Sequence, residues 1–504
     1  MNSHIAPAKI VLTTFGSFGD VHPYLAIGRE LKARGHHVVV ATCELYRGAV
    51  ESAGLEFFAV RPDLPDLENN ADFYARVMNP LGGGAKYLLQ EIVAPSVRQT
   101  FADLCEATRD ADVLISHSMS VVAPLVALTS HTRQSSTRKR PLIWISAVVS
   151  PMFLQSVSDA PSLPLVPALA RVPFLGEIAA RSWNRWMGNW LAQPLDSLRD
   201  LRHELGLPPA VSPLFADAHS PHRVLALFSP LLAPPQTDWP PQTRAVGFCF
   251  HDRNRDENEG NSPTPANEIA AAAAHIWPPA AESLSKPLVQ TVCLSGAAPL
   301  RAAASIGARG IGARKSHREF NSELQKFLEQ SARPPILFTL GASSAMNAGE
   351  FWQESARAVA LLKRRAIFVL GRELESASKF SSPHIFCVSY LPLSQILPCC
   401  ESAVHHGGIG TIALCLQAGT PMILVPQAQD QPDNAWRAAR MGAARLLPKS
   451  RYRAERVARE LRALSSTRYY DRRAQFFRAR IAREDGTQTA CDEIEKTIAN
   501  EPGA

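Results

Sequence analysis

Twice along this chain a run of β-branched and aliphatic residues ends in a glycine-bearing loop, leads into apolar residues at helical spacing, and gives way to another apolar run. At the start, Lys9-Ile-Val-Leu-Thr-Thr14 reads as a strand and Gly16-Ser-Phe-Gly19-Asp-Val-His22 as a loop. Pro23 sits where a helix begins, since a first-turn proline gives up only an N–H that the helix would not use. Tyr24, Ile27 and Leu31 then recur at helical spacing, Gly35 stops the helix, and His37-Val-Val-Val-Ala41 is the next strand. The rhythm continues through Asp112–Ser116 and Pro141–Ser146. It returns from Pro335-Ile-Leu-Phe-Thr-Leu340 through Ala366–Leu370, Ile385–Ser389, Ala403–His405 and Met422–Val425. Strands apolar along their whole length need cover on both faces, and intervening helices supply it. The expectation is an α/β chain of two Rossmann-like, doubly wound parallel-sheet domains facing a cleft.

Length agrees, because 504 residues exceed one ordinary domain. Residues 1–235 are the expected first domain, 236–333 a linker and 334–504 the second domain with C-terminal helices. Residues 151–235 turn Pro-rich and apolar, with a helix over Glu177–Leu191. The linker carries an insertion, 252–318, in which His251–Asn267 is charged, Ala270–Ala274 is all alanine and Leu300–Lys315 is biased to Ala, Gly and Arg. Such a segment cannot assemble a core and reads as disordered. The tail from Tyr452 to about Ile498 reads as charged, amphipathic helix.

The net charge of +7 is spread thinly, with no long Lys/Arg block. It does not indicate nucleic acid, and it suits anionic small substrates or acidic membrane surfaces. Nine cysteines show no CxxC spacing, as in a reduced cytoplasmic chain. Met1 to Phe15 lack the charged region of a secretory signal, and no apolar run approaches the roughly 18 residues a spanning helix needs. A cytoplasmic protein, peripheral at most at the inner membrane face, is expected.

His405-His-Gly-Gly-Ile-Gly-Thr411 ends one strand and starts a helix near Gly410. Glycines there let a ligand approach the backbone, Thr411 offers a hydroxyl, and free N–H groups at the helix start suit a diphosphate. The alternative is a tight turn with a core histidine. Farther on, Asp430-Gln431 follows another strand at the edge where open α/β sheets bind ligands, and a carboxylate beside an amide can grip several sugar hydroxyls.

The His405–Thr411 stretch and Pro426-Gln-Ala-Gln-Asp-Gln431 resemble, in order and spacing, the donor signature of inverting nucleotide-sugar glycosyltransferases of the GT-B fold, the UDP-glycosyltransferase superfamily. The resemblance implies that His406 contacts the diphosphate, with Gly407, Gly408, Gly410 and Thr411 around it, and that Asp430 and Gln431 hold the transferred sugar. Tyr390 falls where relatives place a base-stacking Trp. Gly341-Ala-Ser-Ser344 is similar to a phosphate-side Gly-Ser loop, with the usual Ser replaced by Ala342 and its role passing to Ser343 or Ser344.

Gly16-Ser-Phe-Gly-Asp20-Val-His-Pro23 is similar to the acceptor-side loop of the sterol and antibiotic glucosyltransferase branch. That likeness makes Asp20 the general base, with Gly16 and Phe18 on the acceptor side; His22 is a second candidate, since imidazole titrates near neutral pH. Read on its own, an Asp at a helix start is a cap. Leu232–Pro240, Val246–Phe248 and Phe338–Gly341 extend the likeness to rhamnosyltransferases of rhamnolipid synthesis and to sterol glucosyltransferase-like proteins. Donors implied are dTDP-rhamnose or UDP-glucose, with no cofactor and no metal.

Trp183, Trp186 and Trp190, with Arg181 and Arg185 interleaved, read either as an apolar acceptor pocket or membrane-leaning helix, or as a stripe packing in its own domain. Asp110-Ala-Asp112 spells the DxD of metal-dependent transferases but precedes a buried-type strand and reads as a solvated turn. The expected reaction is metal-independent inverting transfer of a hexosyl group to a hydroxyl of a hydrophobic acceptor: a lipid, a sterol or a secondary metabolite. Asp20 takes the hydroxyl proton, and the glycine loop and His406 stabilise the leaving diphosphate. The rivals are a nucleotide-sugar epimerase on the same scaffold and a catalytically silent partner that binds nucleotide sugars or lipids.

Overall fold

A computed structural model describes residues 6–65, 70–79, 83–130, 141–160, 175–251, 317–341, 348–371 and 377–500. The insertion expected over 252–318 lies outside the described residues except for its last two positions, as do Ser343 and Ser344. The contacts divide the chain into two units. One comprises Met1–His251, Gln427–Arg437 and Ile481–Ala504, and the other Asp252–Pro426 and Ala438–Arg480.

The first unit is built on a seven-stranded sheet: β1 (Lys9–Thr13), β2 (His37–Thr42), β3 (Glu56–Ala59), β4 (Val113–His117), β5 (Ile143–Val148), β6 (Arg223–Ala226) and β7 (Thr243–Ala245). The strands lie in the order β3-β2-β1-β4-β5-β6-β7, and every pairing is parallel. Alternation along a strand sends side chains to opposite faces. Ile10 and Leu12 therefore enter one core and Val11 the other, as an all-parallel sheet requires. Residues 243–245, expected in the linker, supply the edge strand β7, because its pairing with β6 satisfies backbone groups that a free linker would leave to water.

The second sheet contains β8 (Ile336–Thr339), β9 (Ala366–Val369), β10 (Ile385–Val388), β11 (Ser402–His405), β12 (Met422–Leu424) and β13 (Ala444–Leu446), in the order β10-β9-β8-β11-β12-β13, again all parallel. Both sheets reverse their winding once, between β1 and β4 in the first and between β8 and β11 in the second. Those reversals are the switch points at which open α/β sheets form ligand crevices. Two doubly wound α/β units are thus the fold that the sequence rhythm anticipates.

Five helices bear on function: α1 (Phe18–Ala33), α2 (Leu175–Ala192), α3 (Ile409–Ala418), α4 (Gln431–Arg440) and α5 (Gly486–Asn500). Helix α1 begins five residues before the expected start at Pro23, because Ser17 and Asp20 form a capping box that holds the first turn; Pro23 lies inside the helix. The C-terminal helix α5, expected with the second domain, belongs to the first unit. Its Ala490, Cys491, Ile494 and Ile498 complete the core on which α1 packs, and Arg34 reaches Asp492 and Glu495 at 2.7 Å each. No described helix is long and apolar enough to cross a membrane.

Candidate active site

The loop after β1 turns on Gly16, whose φ of +138° disfavours a side chain and whose absent Cβ leaves room for the Asp20 carboxylate. Tyr46 Oη donates to the Gly16 carbonyl at 2.6 Å and pins the turn. Ser17 caps α1, and Asp20 returns the favour: its Oδ2 accepts from Ser17 N at 2.6 Å and from Ser17 Oγ at 2.9 Å. Asp20 is therefore a cap, as the residue type alone suggests. It is also more than a cap, because its side chain stays about a quarter exposed and its Oδ1 faces His117 Nε2 at 3.6 Å. Burial raises the Asp20 pKa above the ordinary carboxyl value, and the Ser17 hydrogen bonds oppose that shift.

His117 ends β4 and carries no motif that the sequence alone would mark. The only signal is a polar run, Ser116-His117-Ser118, closing an apolar strand. Its Nδ1 accepts from Met119 N at 3.2 Å, which puts the ring proton on Nε2, and among the described residues Nε2 is buried without a hydrogen-bond partner. Burial pulls His117 down to about 4, so the ring is neutral at pH 7 and its approach to Asp20 is not an ion pair.

The other acceptor-side candidates differ in exposure. His22 lies on α1 with its ring stacked on His251 at 5.3 Å and tilted against Phe18 at 5.4 Å; Phe18 in turn meets Tyr46 edge-on at 5.0 Å. On α2, Trp190 and Met187 pack against the core, Trp186 stacks on Trp190 at 5.7 Å while remaining 52% exposed, and Trp183 leans on Trp186 at 5.1 Å. The stripe is thus anchored through Trp190 and leaves Trp186 at the surface. Asp110 and Asp112 are committed to Lys9, through an ion pair at 2.6 Å and a backbone hydrogen bond at 2.8 Å, at the amino ends of β1 and β4.

Within the first unit lies Gln427–Arg437, which carries Asp430 and Gln431. Asn434 Nδ2 donates to Asp430 Oδ2 at 2.7 Å, and Ser150 Oγ donates to Asn434 Oδ1 at 3.1 Å. Asp430 is pushed up to about 6 by burial and by the Asp20 carboxylate, against the pull of Asn434 and Ser150. The Gln431 amide oxygen accepts from Gln427 N at 2.9 Å and Ala428 N at 3.3 Å, so this oxygen braces the loop. Arg437, on α4, pairs with Asp433 one turn earlier at 2.8 Å and with Asp159.

In the second unit, β11 ends at His405, a buried residue whose Nδ1 accepts from Gly407 N at 3.2 Å. His406 is the functional candidate of the two. Its ring lies in space that a Cβ of Gly341 or of Gly408 would occupy, at 2.7 Å from Cε1 in the first case. Its Nδ1 is buried without a partner among the described residues, and burial lowers the ring to about 4. Gly408 is the N-cap residue of α3 and has no side chain with which to cap it, and among the described residues no side chain accepts from the first-turn N–H groups. A Cβ at Gly410 would meet no atom within 4 Å, so packing alone does not demand glycine there. Tyr390, just beyond β10, is 56% exposed.

Residues 10–123 match the glycosyltransferase family 28 N-terminal domain, and residues 366–499 match the erythromycin biosynthesis protein CIII-like C-terminal domain. O-mycaminosyltylonolide 6-deoxyallosyltransferase of Streptomyces fradiae is 29% identical over 98% of this chain and 100% of its own. The chain is similar to GT-B glycosyltransferases in both halves. The glycosyltransferase of kitacinnamycin shares the fold with a TM-score of 0.62 at 19% identity, over 98% of this chain and 100% of its own. The glycosyltransferase VinC, solved in complex with dTDP, aligns with a TM-score of 0.58 at 15% identity over 98% of this chain and 100% of its own. The chain thus carries the GT-B architecture along nearly its whole length.

Proposed function

We propose that this glycosyltransferase moves a hexosyl group, rhamnosyl or glucosyl, from dTDP-rhamnose or UDP-glucose to a hydroxyl of a hydrophobic acceptor, with inversion and without a metal. The observation that carries the reading is the chemistry at the two switch points. A partly exposed carboxylate, Asp20, stands at one. A glycine-cradled histidine beside an uncapped helix start, His406 with α3, stands at the other.

Asp20 takes the acceptor's hydroxyl proton while the acceptor oxygen bonds to the anomeric carbon. The carbon–oxygen bond to the diphosphate breaks on the opposite face. The N–H groups of α3 and the His406 ring then meet the growing negative charge. Asp430 accepts from sugar hydroxyls, and the exposed face of Tyr390 stacks on the base. The dTDP bound by VinC supports a nucleoside diphosphate donor, and the Streptomyces fradiae relative's name supports a hydroxyl-bearing small-molecule acceptor. A lipid or sterol acceptor rests on the apolar α2 region. Its exposed Ile178 and Trp186 would lean on the inner membrane face of a cytoplasmic protein, and absence of liposome co-sedimentation opposes that contact.

The test is a thermal-shift screen of nucleotide sugars, since a ligand bound only by the folded state raises the melting temperature. The stabilising donor is then incubated with a panel of hydrophobic alcohols, and the anomeric configuration of the product is read by proton NMR. An inverted glycoside is expected. A free epimerised sugar, a retained configuration, or binding without turnover across the panel would each refute the assignment.

A further inference from the structure

Two unmet polar groups face each other in the first unit. Asp20 Oδ2 is engaged by Ser17, whereas Oδ1 accepts no hydrogen bond among the described residues and lies 3.6 Å from His117 Nε2. That nitrogen carries the ring proton, because Met119 N–H occupies Nδ1, and it is itself buried without a hydrogen-bond partner among the described residues. Tyr24 meets the His117 ring edge-on, with centroids 6.0 Å apart. The distance is beyond hydrogen-bond range, yet it is the length at which catalytic contacts often stand before substrate tightens them.

We infer that His117 is the positioning residue of the Asp20 base: its Nε2–H closes on Oδ1, favours the ionised carboxylate and fixes its orientation toward the acceptor. The inference rests on the reading of Asp20 as base. His117 is not the base itself, since Nδ1 is taken, Nε2 already holds a proton and the side chain is 1% exposed. During transfer the acceptor O–H bond breaks and its proton joins Asp20. The acceptor oxygen bonds to the anomeric carbon, and the electron pair of the breaking bond leaves with the diphosphate. His117 keeps its own proton throughout.

The titratable groups facing Asp20 are Tyr24 on its own helix, Tyr46, Asp430 and His117. Removing an N–H that favours the charged carboxylate raises its pKa, so the acidic limb of activity moves to higher pH. The experiment measures kcat against pH at saturating donor, where Asp430 is engaged by the sugar. H117N keeps the acceptor for Met119 N–H but loses the donor to Asp20, whereas H117Q keeps an N–H at the position of Nε2. For H117N the limb should rise by about one pH unit, so that kcat at a fixed pH on the acidic side of the limb falls roughly tenfold, with donor KM unchanged. For H117Q the limb should stay in place.

An unmoved limb in H117N, with D20N inactive, overturns the assignment of His117 alone. Full turnover by D20N overturns the Asp20 reading and this inference with it. Should H117N fail to fold, H117Q decides alone: an unmoved limb supports the assignment, and an upward shift overturns it.

Discussion

The imidazole of His406 fills the space in which a Cβ of Gly341 would lie, 2.7 Å from Cε1. The two residues come from the ends of β11 and β8, neighbouring parallel strands at the switch point of the second sheet, where His405 pairs with Thr339. A backbone without a side chain and a ring without room to move thus fix each other beside the start of α3.

Gly341→Ala should therefore act through His406. The φ of +68° already disfavours alanine by about 1–2 kcal/mol, and the methyl displaces the ring. Affinity for free dTDP or UDP, measured by calorimetry, should fall about tenfold or more in Gly341→Ala and in His406→Ala. The double variant should be little weaker than either, because coupled neighbours are not additive. Full additivity would separate the two residues.

Gly16→Ala should act on Asp20 instead. Its methyl would collide with the Asp20 carboxylate, at a φ of +138°. The expected result is a kcat lower by roughly 10²-fold, with nucleotide affinity unchanged, since a misplaced base spoils proton transfer and not binding. Equal losses in kcat and nucleotide affinity would point to general disruption.

Donor affinity should depend on pH through Asp430. Its pKa, pushed up to about 6, leaves the carboxyl protonated in mildly acidic buffer, so donor KM should rise as pH falls through that value. Asp430→Asn should flatten the profile. Asn434→Ala, which removes an N–H that favours the charged form, should move the rise to higher pH. The linkage has a stated sign: the folded chain binds this proton more tightly than an ordinary carboxyl at 3.8, so the group's contribution to stability declines as pH rises from about 4 to 6. At pH 7.5, Asp430→Asn should melt above the parent chain; a lower Tm would refute the burial penalty.

If the helix start and His406 serve the leaving group as proposed, transfer should survive EDTA; Asp110 and Asp112 are held by Lys9. Loss of turnover on chelation, restored by Mg²⁺ or Mn²⁺, would contradict the proposed stabilisation.

Periodicity and glycine placement made the strands, their helices and the loops of Gly16 and His406 legible, because these depend on residues close in sequence. Pro23 misled by its position, since the capping box of Ser17 and Asp20 outweighs the single hydrogen bond that a proline inside the helix forgoes. The amphipathic pattern of α5 shows a buried face but does not name its partner, and the core it enters includes β1 and β2, over 400 residues away. Likewise Gln431 matches the donor signature, yet its amide oxygen braces the loop.

By itself the sequence determined two doubly wound units and the loops at the carboxyl ends of their strands, since local patterns dictate which segments must be strands buried on both faces. Tertiary structure decided which loop ends meet. Asp20 and His117 are 97 positions apart and become neighbours because β1 pairs with β4 at the reversal of the sheet order. Strand order reflects how sheets are covered and wound, and no local run of residues encodes it.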